Sequence, residues 1–86
     1  MEDYEFTHLT LAQRKQAIEE RIAQYELRLF DCMMNAKAEA VSKNPHRERA
    51  VAELQAQMNE LKTIIEMCRY ESSMLDETVE KDAAVS

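Results

Sequence analysis

The side chains that most often carry chemistry are few in this chain, and their spacing does not suit it. There are two histidines, His8 and His46, and two cysteines, Cys32 and Cys68. Neither histidine stands at metal-ligand spacing to the other or to a cysteine, so each reads as a capping or solvated group. The chain has no glycine, which removes Walker-type and dinucleotide-binding loops, whose backbones must pass close to phosphate. The acidic pairs Glu19-Glu20 and Asp76-Glu77 fall on helix faces expected to be solvated, with no pocket to raise a carboxyl pKa. No nucleophile can be matched with a base. A non-enzymatic protein without cofactor or metal is therefore expected.

The elements that position these residues are helices. The chain has 86 residues, a single proline, 45% apolar and 33% charged residues, a composition for long helices and not for sheets, whose turns need residues missing here. Thr10-Leu11-Ala12-Gln13 reads as a capping box that starts helix 1. A 3-4 apolar spacing then runs through Leu11, Ile18, Ile22, Tyr25, Leu29, Cys32 and Ala36, with Lys15 its one polar member. The helix is expected over about 10–42. Asn44-Pro45 breaks it, since the residue before proline resists the α region, while asparagine caps and proline opens a new helix. Helix 2, about 45–76, carries the cleaner stripe: Val51, Leu54, Met58, Leu61, Ile65, Cys68, Ser72, Leu75 and Val79. Arg47 and Arg49 in its first turns oppose the helix dipole.

A connection of roughly two or three residues around Lys43 allows only an antiparallel neighbour. The fold class is all-α, an antiparallel two-helix hairpin that could assemble into a four-helix bundle. Its seam is Ile18, Ile22, Tyr25 and Leu29 against Leu54, Met58, Leu61 and Ile65. Folding about Lys43 places Cys32 near Met58 and Cys68 near Ile18, too far apart for a disulfide. Residues 1–9, with Tyr4, Phe6 and Leu9 among acids, read as a frayed terminus or as an arm that docks on a partner. Residues 77–86 read as an acidic tail into which helix 2 frays.

Helix 1 also carries a second stripe, Ala23, Leu27, Phe30, Met34 and Val41, on roughly the side opposite the first. Helix 2 carries Ile64, Met67 and Met74 flanking its seam, with Tyr70 on its outer side. A two-helix hairpin cannot bury both sets, and each large apolar side chain left in water forfeits about 1.5–3 kcal/mol. The expected working unit is a complex, either a homodimer or one with a protein partner. The formal charge of −6, with basic and acidic residues interleaved, argues against nucleic acid and anionic membrane as partners. With no signal sequence or membrane-spanning run read in the chain, the expected location is cytoplasmic.

The capped first helix, the proline-containing turn near mid-chain, and the runs Ala52-Glu53-Leu54, Leu61-Lys62-Thr63-Ile64-Ile65 and Arg69-Tyr70-Glu71-Ser72 resemble the small co-chaperones of bacterial type III secretion systems, of the YscE/SsaE type. The likeness covers roughly Thr10 to Ser73. The charged Pro45-His46-Arg47-Glu48-Arg49 run and the acidic extension depart from that pattern. The resemblance implies a hairpin that binds a helical-repeat partner chaperone, the pair holding a needle subunit soluble and unpolymerised. On it, Leu27, Phe30, Met34, Ile64, Met67 and Tyr70 are the partner-binding candidates. Two other readings of the same residues stand beside it. One is a self-associating hairpin such as a needle subunit, which the charged tail disfavours. The other is an acidic rod that mimics DNA and inhibits a nucleic-acid-binding protein, whose continuous negative face the eleven basic residues interrupt.

Overall fold

The computed structural model describes residue 6 and residues 8–85, with side chains at 6 and 8–76. Tyr4 of the arm, and the side chains of Val79 and of the acidic residues after Asp76, lie outside the described residues. Two helices, α1 (Leu11–Ala40) and α2 (Arg47–Val85), pack along each other as an antiparallel hairpin.

α1 begins where the capping box places it. Gln13 N donates to Thr10 Oγ1 at 3.1 Å, and Thr10 N donates to Gln13 Oε1 at 2.9 Å, which satisfies one orphan amide of the first turn and the cap's own amide. It ends at Ala40, short of Ser42, because the turn takes over: Ser42 N donates to the Glu39 carbonyl at 3.0 Å. The Glu39 carboxylate also accepts from Ser42 Oγ at 3.2 Å and Asn44 Nδ2 at 2.8 Å. Asn44 meanwhile caps the second helix, its Oδ1 accepting from His46 N at 2.9 Å and its carbonyl from Arg47 N at 3.1 Å.

The expected cap residue thus performs its role, yet regular helix starts at Arg47 and not at Pro45. The first turn closes through the tighter Asn44–Arg47 bond before the α pattern sets in at His46–Ala50. Asn44 holds both ends of the connection, so Asn44→Ala is expected to lower stability by about 1 kcal/mol, read as a shift of the urea midpoint. The dipole conflict at Arg49 is eased by an exposed pair with Glu53, 3.4 Å away at i,i+4.

The expectation that helix 2 frays after Asp76 is corrected: α2 continues to Val85. Beyond Asp76 the sequence has no glycine or proline to stop it, and Ala83 and Ala84 are strong helix formers. Net negative charge alone does not end a helix.

The register agrees with folding about the turn. Lys15 Nζ lies 2.5 Å from Asp76 Oδ1, Arg69 Nη2 3.6 Å from Glu26 Oε1, and Cys32 Sγ 3.7 Å from Gln57 Oε1. Both thiols are free; Cys68 is buried beside Ile18 and Cys32 is half-buried. Ala36, Ile65 and Cys68, all seam residues, are buried, and the other seam side chains from Ile18 to Leu75 are half-buried. Among the described residues no third layer closes over the two helices. The result is a rod of 63 × 26 × 16 Å exposing 7273 Å², against about 5,200 Å² for a compact chain of this mass.

Candidate protein-interaction faces

The second stripe of helix 1 is open to solvent. Leu27 is 67% exposed, Phe30 55% and Met34 48%, with Ala23 and Val41 exposed at its ends. On α2, Met67, Tyr70 and Met74 are exposed, whereas Ile64 is half-buried. Five of the six partner-binding candidates therefore stand in solvent. Ile64 is partly covered because it borders the groove between the helices, with Arg28, Cys32 and Leu61.

The six do not form one surface. At about 100° per residue, Leu27, Phe30 and Met34 lie on the outer side of α1, roughly 100–160° around the helix from Leu29 in the seam. Ile64 and Met67 lie toward the inter-helix groove of α2, and Tyr70 and Met74 continue from Met67 around its back. The rod has two apolar faces, one per helix, pointing away from each other. Sequence periodicity identifies each face but not their relative direction, which depends on which edge of the seam each one adjoins.

At the open end the arm meets the hairpin. Leu9 N donates to the Phe6 carbonyl at 3.1 Å, and Arg14 Nη2 donates to the same oxygen. Phe6 and Leu9 then wall a groove of about 410 Å³ whose other side includes Ile18, Met67, Cys68 and Leu75. Of the two readings of the arm, neither anticipated that Phe6 would line its own hairpin. The signal was present in the apolar Phe6 and Leu9 three residues apart, a spacing that turns both the same way. Arg14 Nε is buried there and has no acceptor among the described residues.

The odd polar member of the first stripe also finds its reason here. Lys15 sits at the seam's edge because Asp76 waits across the hairpin, a partner sixty-one positions away. The hydrogen bond to Asp76 and its charge raise the Lys15 pKa above the ordinary lysine range. A raised folded-state pKa means that the pair's contribution is full below the unfolded lysine value and is lost as pH rises through the folded one. Both groups are well exposed, so the effect is small and screened by salt. The difference in melting temperature between the native chain and Lys15→Gln is expected to be constant at neutral pH, to shrink with added salt, and to vanish at alkaline pH.

His8 and His46 are exposed, and among the described residues no three His, Cys, Asp or Glu side chains converge as metal ligands. No described helix is long and apolar enough to cross a membrane. What the arrangement offers is apolar surface on a preformed rod, edged with charge. Protein-family models, curated proteins and solved structures show no match to this chain.

Proposed function

We propose that this chain is a non-catalytic, cytoplasmic co-chaperone. It would bind and stabilise a helical-repeat partner chaperone and, through that partner, keep a type III secretion needle subunit soluble and unpolymerised. The observation that supports this reading is the exposure of large apolar side chains at helical spacing, Met67, Tyr70 and Met74 on α2 above all. Helical-repeat proteins stack helix pairs and leave an unfinished apolar layer at their ends and concave surface. A hairpin whose two helices are already paired loses little chain entropy on filling that layer. The half-covered Ile64 and the groove beside it give the α2 face relief as well as apolar area, the setting in which aromatic anchors bind best.

The test is purification of a tagged copy from its native host, with mass determination of the complex. The expected result is a one-to-one complex with a small helical-repeat protein, and recovery of a needle subunit when all three are co-expressed. Purification without a helical-repeat protein, or a needle subunit that stays soluble without the chain, would overturn the reading.

A further inference from the structure

We infer that the α1 face is a self-association surface: two copies pair antiparallel through Leu27, Phe30 and Met34, leaving both α2 faces open. Self-association of the free chain is independent of the co-chaperone reading.

The case rests on what flanks the stripe. One helical step outward from Ala23 and Met34 along the same 3-4 track stand Glu20 and Lys37, both exposed. Glu20 accepts only a weak bond from Gln16 Nε2, at 3.3 Å, and among the described residues no acid pairs with Lys37. Place a two-fold axis between Arg28 and Leu29. Leu27 then lies against Phe30 of the second copy, Ala23 against its Met34, and Glu20 against its Lys37. Each of these three layers occurs twice, and each is apolar or oppositely charged, as a two-fold interface requires. Asp31 at the rim falls beside Gln24 of the second copy and not beside its own equivalent. A parallel pairing would oppose Glu20 to Glu20 and Lys37 to Lys37, so the charges select the antiparallel arrangement.

The α2 face is the internal control. Its track Thr63, Met67, Tyr70 and Met74 has the same spacing, but the hydroxyl-bearing Thr63 stands where α1 has Ala23. Antiparallel self-pairing there sets Thr63 against Met74 of the second copy, a polar group in a layer that is apolar on α1. The same geometry therefore favours a second copy on α1 and a different protein on α2. The α1 contact is about 25 Å long at ~1.5 Å per residue, at the small end of stable interfaces, so a dimer in the micromolar range is expected.

Sedimentation equilibrium on the full chain over a range of concentrations tests this. The expected result is a reversible species of twice the 10.0 kDa chain mass. Phe30→Asp should weaken it by at least about thirtyfold, as loss of a central anchor does, with helical circular dichroism unchanged because Phe30 lies outside the seam. Lys37→Glu should weaken it roughly fivefold, and the double exchange Glu20→Lys with Lys37→Glu should restore it. Tyr70→Asp should leave it intact. A chain that is monomeric throughout, a dimer indifferent to Phe30→Asp, or one lost with Tyr70→Asp would overturn the inference. Failure of the double exchange to restore what Lys37→Glu removes would overturn the antiparallel register.

Discussion

Ile65→Asp is expected to unfold the isolated chain. Ile65 is one of three buried residues among those described and is 4% exposed, so truncating it alone would cost about 2–5 kcal/mol. An aspartate there adds an unpaired charge in the middle of the seam, with no described cation placed to meet it. At ~0.05–0.15 kcal/mol per residue, a chain of this size has about 4–13 kcal/mol in hand, and a hairpin with so little buried core belongs at the lower end. Far-ultraviolet circular dichroism should show loss of most of the helical signal at room temperature. Leu27→Asp, on a side chain 67% exposed, should leave it unchanged. Because a bound copy or partner stabilises the folded state by mass action, the comparison should be made at low protein concentration. Retention of full helicity in Ile65→Asp would mean that the two helices do not depend on each other.

The second large effect concerns binding. Met67→Asp together with Tyr70→Asp is expected to abolish recovery of the partner while the purified chain remains helical. Both side chains are more than half exposed, so neither substitution disturbs the seam. If they are the anchors of the α2 face, each is worth about 2 kcal/mol or more of binding, and together they carry a micromolar complex beyond detection. Phe30→Asp serves as the counter-test, since the two faces point apart. Loss of the partner with Phe30→Asp but not with the double variant would move the partner to α1.

Which parts of this arrangement the sequence discloses depends on the range of the interaction. Thr10 and Gln13 are three residues apart, and their reciprocal bonds need nothing beyond one turn of helix, so the start of α1 is readable by inspection. Asn44 is similar: its capping role follows from residue type, though the tighter first turn that delays regular helix to Arg47 does not. The seam is legible because periodicity reports burial directly, and Ile18 through Ile65 fall where the 3-4 pattern puts them. Lys15 is not legible, since its reason is Asp76 on the other helix, and only the register brings the two together. The end of α2 was misread because acidity is a weaker signal than the absence of any helix breaker.

The candidate binding residues were readable as exposed and apolar, and five of six are. Their division between two faces was not, because a helical pattern gives an angle about its own axis and says nothing of the neighbour's. Phe6 shows the same limit. The groove it lines with Met67 and Leu75 depends on where the far end of α2 returns.

The 63 Å length of the rod has a hydrodynamic consequence. Its radius of gyration of 18.5 Å is that of a compact protein of about 270 residues. On a sizing column calibrated with globular standards, a lone copy of this chain will elute ahead of a compact protein of its own mass. Elution volume therefore reports its shape before its stoichiometry, and a true side-by-side dimer, which thickens the rod more than it lengthens it, will move the peak by less than a doubling of mass suggests.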